Sequence, residues 1–305
     1  MQFNNLTNAL QQRFVDSPLY AALLSAAVRK TAHINVNGLN ESARSLVLST
    51  LLQEIKCPMV VIVEDNHRAS SYLQELSNLS SCPTYMFPAS EVSPYEQVLT
   101  SADTMSGQLS VLRSVTKSNQ PYVLVVPARA LLQRVMSREQ MAAETITLTR
   151  RQKLDRSQLA SKLVHLGYSR VNLVTLAGEF SMRGDIIDIC PAAGSPARIE
   201  LFDDEIESVR TFNVENQRSI SEEESLEIPP RWWIVIDNPE QLVSRIQEVA
   251  YTAMSTMDSD KTDILRSVIN NDCAAIAAGQ YPEAAEYYAL YADPQFSTII
   301  DYLPD

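Results

Sequence analysis

The sequence predicts an α/β protein, a parallel-sheet domain interrupted by a smaller α+β domain. Three observations carry this. Strand-length apolar runs, Met59–Val63 and Tyr122–Val126, alternate with helix-length amphipathic stretches, the β-α-β-α-β order of a helix-covered parallel sheet. Near residue 144 the texture changes to short strands and turns, which continue to about residue 230. The 305 residues leave room for two domains, at roughly 100–200 residues each. The expected division is 1–143 and 231–305 as two parts of one α/β domain, with 144–230 inserted between them.

Residues 1–30 read as helical, with Asp16-Ser17-Pro18 as a start signal ahead of Leu19, Ala22, Leu23, Ala26 and Ala27. His33–Val36 is expected as a short first strand that turns at Asn37-Gly38. Ser42–Ile55 is expected as a helix, with Leu46, Val47, Leu51, Leu52 and Ile55 on one face. The β-branched run Met59–Val63 reads as a buried parallel strand. A helix over 67–79, a helix over 104–115, a strand over 122–126 and a helix over 128–135 follow. In the inserted segment, 145–149 reads as a strand and 157–165 as a helix closed by Gly167. Residues 181–190 read as a strand bent at Gly184. Ile199–Phe202 and Ile206–Phe212 form a hairpin across Asp203-Asp204-Glu205. Glu222–Glu224 and Pro229-Pro230 read as an exit linker, 233–237 as a strand, 239–249 as a helix, and 250–305 as mostly helical. Of Trp232 and Trp233, strand alternation would put one in the core and the other on a lid or domain contact.

Composition narrows function. With 25 Lys+Arg against 37 Asp+Glu, the net charge is −12, which disfavours a stand-alone phosphate-tracking surface. The 45% apolar and 20% charged fractions suit a folded chain. No apolar run approaches membrane-spanning length. The N-terminus lacks a secretory pattern, and a cytoplasmic location is expected. Cys57, Cys82, Cys190 and Cys273 are widely spaced, and His33, His67 and His165 are isolated. Neither a disulfide framework nor a metal site is expected. The acid pairs Asp185/Asp188 and Asp203/Asp204 have no metal partner and are not expected to be catalytic.

Between the expected first strand and its helix lies Gly38-Leu39-Asn40-Glu41-Ser42-Ala43-Arg44-Ser45. A phosphate-binding loop belongs at that place, reading GxxxxGK[ST]. Gly38 and Ser45 match. The second glycine is Ala43, the lysine is Arg44, and Glu41 sets a carboxylate where phosphates would lie. The loop is therefore expected to be a degenerate nucleotide site in a P-loop-NTPase-like domain.

The segments 167–170 (GYSR), 178–191 (GEFSMRGDIIDICP), 198–210 (RIELFDDEIESVR) and 217–219 (QRS) form an ordered pattern. FPASE at 87–91, PYE at 94–96 and DYLP at 301–304 extend it over essentially the whole chain. The pattern resembles the N-terminal UvrB-like module of the bacterial transcription-repair coupling factor (Mfd) family. The resemblance implies a RecA/helicase-like α/β domain without a working nucleotide site. It implies that the inserted domain binds UvrA, and that the module recruits UvrA to link stalled transcription to excision repair. In the full-length family, RNA polymerase, DNA and an intramolecular C-terminal domain are further partners. ATP and magnesium serve motor domains that are not represented in this sequence, so no cofactor is expected here.

The resemblance carries UvrA contact onto Arg170 and Arg183, with Phe180 and Glu179 beside them. UvrB has a further arginine where this chain has Ser181, and the family's usual Phe before Pro191 is Cys190. UvrB's aromatic DNA-wedging hairpin has no counterpart, because 83–103 holds only two tyrosines and one phenylalanine. The arginines fit the role chemically, since a planar guanidinium pairs a carboxylate bidentately and is enriched at interface hot spots. Two other readings remain at this point. One is a purely structural or autoinhibitory domain, and the other is a functional ATPase or helicase half. The Arg183-Gly184-Asp185 tripeptide is read as a coincidence with cell-adhesion motifs.

Overall fold

Ser17 ends one helix and begins another. The first, α1 (Gln2–Val15), stops at Asp16. Ser17 is extended, and its hydroxyl accepts the Tyr20 amide at 3.2 Å. Pro18 then occupies the first position of α2 (Pro18–Val28), where its missing N–H costs nothing. The same logic starts α3 (Glu41–Ile55), whose cap Asn40 accepts the Ala43 amide at 2.9 Å. Strand β1 (Met59–Val63) follows, then α4 (Asn66–Leu79) capped by Asp65, then β2 (Thr84–Met86), α5 (Ala102–Lys117) and β3 (Val123–Pro127). The three strands form a parallel sheet in the order β1-β3-β2. The central strand β3 has no exposed residue from Val123 to Val126, as expected of a strand covered on both faces. Leu52, Ala69 and Leu76 of the flanking helices pack against Val123 and Val125.

The computed structural model describes residues 2–29, 33–90, 102–282, 285–292 and 297–304. Glu91 and the 94–96 motif lie outside them. The described residues fall into two compact units. One takes Met1–Ser90, Val111–Gln133 and Tyr302–Asp305; the other takes Glu91–Ser110 and Arg134–Asp301.

In the first unit the sheet differs from expectation at one edge. His33–Val36 is irregular, with Ile34 40% and Val36 50% exposed. The third strand is β2 instead, three residues too short to show a period of two. The helix expected over 128–135 is a short 3₁₀ turn, Ala128–Leu132, and Val135 bridges Ser297.

The second unit continues with α6 (Arg138–Glu144), β4 (Ile146–Thr149) and α7 (Arg156–His165). Then come β5 (Ser169–Arg170), β6 (Glu179–Arg183), β7 (Ile186–Cys190), β8 (Ala197–Phe202), β9 (Glu205–Phe212), β10 (Ser219–Glu223) and β11 (Ser225–Ile228). Strands β5 to β10 make a six-stranded sheet in the order β10-β9-β8-β7-β6-β5, antiparallel except where β5 meets β6. A separate ladder joins β4 to β11, Ile146 opposite Ile228, so the two ends of this segment lie side by side. Three expectations change here. Glu222 and Glu223 lie in β10 and are not a linker. Gly184 (φ +58) does not bend or bulge a single strand over 181–190: it is the first residue of a two-residue hairpin turn between β6 and β7. Residues 233–237 are irregular, not a strand, although Trp233 to Ile236 are all buried. The unit ends in α8 (Pro239–Met254), α9 (Ser259–Ala277), a short α10 (Ala289–Ala292) and 3₁₀ turns at Ala285–Tyr288 and Ile299–Tyr302. Ile234, Ile236, Leu242, Ile246 and Ile276 share one core.

The irregular segment after β11 is held by polar contacts. Tyr168 Oη donates to the Pro229 carbonyl at 2.8 Å and accepts the Ala192 amide at 2.9 Å. Arg231 donates to Gly167 O and Ser169 Oγ, and stacks over Trp232. Burial lowers the Arg231 pKa, so its contacts with oxygen are what keep the charge tolerable there. Tyr281 Oη donates to the His165 carbonyl at 2.7 Å and accepts the Ile236 amide; burial pushes its pKa up to about 12. The approach is close enough to demand glycine. A Cβ on Gly167 would stand 2.4 Å from Trp232 Cδ1, and one on Gly178 2.5 Å from Arg231 Nε, both at positive φ. Gly178→Ala is therefore expected to destabilise by about 2–4 kcal/mol, adding overpacking to left-handed strain. Gly184→Ala, with open space around it, should cost only the strain, about 1–2 kcal/mol. Thermal or urea melts of the two variants check the difference.

Candidate functional site

The six-stranded sheet sorts its side chains by register. One face carries Phe180, Ile189 and Ala197 in one row and Met182, Ile187, Ile199 and Val209 in the next. Most of these are fully buried. The opposite face carries Ser181, Asp188, Arg198, Arg210 and Glu222 in a single row across β6 to β10. A polar row on a sheet face is ordinary when water covers it. Here its centre is dry, because Ser181 is 1% and Asp188 0% exposed.

Asp188 is answered by two guanidiniums. Arg198 donates from Nε to Oδ1 at 2.6 Å and from Nη2 to Oδ2 at 3.0 Å; Arg183 donates from Nη2 to Oδ2 at 2.8 Å. Arg198 also binds the Gln217 carbonyl and lies over the Phe212 ring. Its hydrogen bonds to Asp188 raise its pKa further. The Arg183 side chain is half exposed at 51%, against 17% for Arg198. Next to Arg183, Arg156 clasps two hairpin tips. It donates to the Gly184 carbonyl, to Asp185 Oδ1 at 2.7 Å and to the Asp203 carbonyl.

Residues 146–232 match the family model of the UvrB interaction domain. Over most of its length the chain is also similar to named proteins. A transcription-repair-coupling factor of Bacillus subtilis is 30% identical over 274 residues, covering 88% of this chain and 23% of the relative. That of Myxococcus xanthus is 31% identical over 211 residues, 67% of this chain and 18% of the relative. That of Staphylococcus aureus (strain USA300) is 30% identical over 241 residues, 79% and 20% respectively. The chain is homologous to the transcription-repair coupling factors. It spans about a quarter or less of the length of these relatives.

Within the UvrB interaction domain, the residues expected to meet a partner separate into two kinds. Arg170 and Arg183 are exposed. Phe180 is fully buried and Ser181 nearly so, so neither presents a surface, and expecting contacts from them is corrected. Phe180 is core because its face of β6 is the apolar one. Ser181 sits directly opposite Asp188. Glu179 is half-buried and already engaged, since its Oε2 accepts the amides of Thr175 and Leu176 at 2.8 and 2.9 Å and the Thr175 hydroxyl. That carboxylate orders the loop between β5 and β6, which leaves Leu173 47% and Leu176 66% exposed next to Arg170. Cys190 packs with Val174 and Phe212 beneath this loop, and burial pushes its thiol up to about 11. Sequence reasoning weighed Asp188 only as one of an acid pair with Asp185 and missed its buried place between two arginines. Its signal was a lone charge inside the run Ile186–Cys190, where an unpaired carboxylate would not be tolerated.

The Gly38–Ser45 stretch lies in the other unit. Gly38 (φ +82) has nothing near it, and Arg44 Nε donates back to the Leu39 carbonyl. Glu41 is ion-paired to Arg68 of α4. Ser45 is fully buried and donates to Glu75 Oε2. No helix is long and apolar enough to cross a membrane among the described residues.

The Glu179 arrangement is open to direct measurement. Glu179→Ala should speed hydrogen exchange at the Thr175 and Leu176 amides by about tenfold or more, the loss of a charge-assisted bond at an exposed loop. Exchange followed by NMR should leave the amides of β7 and β8 unchanged.

Proposed function

We propose that the chain is a non-catalytic docking module that binds UvrA through its UvrB interaction domain, in the service of transcription-repair coupling. The observation that carries this reading is the exposure of Arg170 and Arg183 on one margin of the domain that matches the UvrB interaction family. Strand β5 accompanies β6 only through Ser169↔Glu179 and Arg170↔Phe180. Beyond Phe180, β6 is itself the edge of the sheet, and Arg183 lies at its end. The two arginines are thus on the same edge, offset by three positions, about 10 Å along the strand. By register they point to opposite faces, because Arg170 pairs with Phe180 and Arg183 is three residues further on. A partner that takes both approaches the edge and straddles it. On a chain of net charge −12, these are local positive anchors for acidic side chains.

The reading also holds that the Gly38–Ser45 loop binds no nucleotide. Its carboxylate, its arginine and its serine hydroxyl are each committed to neighbours, and a phosphate would have to displace Glu41 from Arg68 while facing its charge. RNA polymerase, DNA and a C-terminal domain belong to the same proposal only as partners of a longer protein.

Titration calorimetry of purified UvrA into the 305-residue chain tests the docking. Saturable binding is expected, with Arg170→Ala and Arg183→Ala each weakening it by about 1–3 kcal/mol, as for hot-spot contacts. A folded wild-type chain that fails to bind sinks the reading. Labelled ATP should show no saturable binding up to millimolar concentration; a micromolar dissociation constant would restore the ATPase reading.

A further inference from the structure

We infer that Asp188 is a positioning residue of this edge: a buried carboxylate that holds Arg183 so that its free donors meet a carboxylate of the partner. The inference rests on the docking reading above. The numbers of donors and acceptors point to it. Arg198 engages both Asp188 oxygens, at 2.6 and 3.0 Å, a bidentate pairing that leaves further lone pairs on the carboxylate. Arg183 adds a third bond to the same group, through Nη2 only. Asp188 is thus shared by two guanidiniums, of which Arg183 is the half-exposed one. A guanidinium has five N–H donors. Among the described residues, Nη1 and Nε of Arg183 donate to no side chain or carbonyl, and half of the side chain is open to solvent.

Geometry explains why Arg183 is held and not merely nearby. Ser181 is the cross-strand partner of Asp188, and Arg183 is two residues along on the same face, a diagonal neighbour within reach of a long side chain. The turn that follows is fixed as well, since Arg156 binds the Gly184 carbonyl and the Asp185 carboxylate. An arginine already fixed at its root and at one nitrogen loses less freedom on binding than a solvated one. The occupant this favours is an acidic side chain on the partner, which would take the outward edge of the guanidinium while Asp188 keeps the inward one.

The test is a double-mutant cycle with purified UvrA and the 305-residue chain. Four forms are compared: wild type, Asp188→Asn, Arg183→Ala and the double variant. If Asp188 acts through Arg183, Asp188→Asn weakens binding tenfold or more when Arg183 is present. When Arg183 is already alanine, it weakens binding less than twofold. A purely structural Asp188 gives the same loss in both backgrounds, and that result overturns the inference alone. So does unchanged binding by Arg183→Ala. No binding by the wild type sinks the docking reading itself, and the inference with it. Asp188→Asn leaves two cations around a neutral group and can fail to fold. In that case the cycle is run with Asp188→Asn plus Arg198→Leu, which removes the stranded buried charge and sets an apolar side chain over Phe212, against the same pair with Arg183→Ala.

Discussion

A carboxylate buried in the middle of a sheet persists only if positive charge is brought to it, and Asp188 obliges much of the UvrB interaction domain to do so. It stands on β7, with β6 on one side and β8 on the other. Arg198 answers from β8 and Arg183 from β6. Arg198 is fixed in turn by the Phe212 ring and by the carbonyl of Gln217, a non-glycine residue at positive φ. Gln217 then donates from its amide nitrogen to the Val174 carbonyl, in the loop that ends at β6. The chain of contacts runs from a strand interior to two connecting segments. Removing one partner of such a buried pair typically costs about 3–5 kcal/mol, because the other charge is left uncompensated. The ion pair is thus a constraint on conformation, and its worth lies in what it forbids its neighbours to do.

The same constraint separates scaffold from surface within one short motif. Residues 179–183 alternate between faces, yet both faces of Phe180 and Ser181 are covered. Only the ends of the strand are free to meet anything. At one end Glu179 is consumed in ordering the loop that follows β5, and the exposed cation there is Arg170. At the other end Arg183 is consumed by half. The edge therefore presents charged groups whose positions are set by buried ones, a cheaper arrangement for binding than mobile arginines on an open face.

The legibility of this chain followed length and isolation. The strands Met59–Val63 and 122–126 announced themselves as five consecutive apolar residues, but only the second is buried as expected; Met59–Val63 is a sheet edge that leaves Ile62 59% exposed. The Asn40 cap of α3 emerged only from the structure, whereas helix α2 announced itself through Ser17-Pro18. β2 did not, since Thr84–Met86 owes its strand state to β3 beside it and to nothing in its own pattern. His33–Val36 and 233–237 erred in the other direction. Both read as strands by composition, but the first is exposed without a ladder. The second is buried by Trp232, Tyr281 and the α8 core, and the Tyr281 hydroxyl takes the Ile236 amide in place of a neighbouring strand. Glu222 and Glu223 read as linker because charge suggests solvent; they lie on the edge strand β10, where charge protects an open edge from further pairing. Of the site, the arginines were visible through family likeness. Asp188 was visible only as an oddity, because a sequence shows that a charge is buried but not what answers it.

The Gly38–Ser45 stretch shows the same economy applied to a different problem. A phosphate loop keeps its backbone amides and its lysine unspent so that a ligand can use them. Here the Ala43 amide of α3 is met by the Asn40 side chain, the carboxylate of Glu41 is neutralised by Arg68, Arg44 is folded back on Leu39, and Ser45 is buried against Glu75. Glu41, Arg44 and Ser45 each close a contact inside the unit. In the UvrB interaction domain, Arg183 instead keeps half of its side chain open to solvent while Nη2 donates to the buried Asp188. The difference between the two places lies in whether the internal contacts use up the polar groups or leave some of them pointing outward.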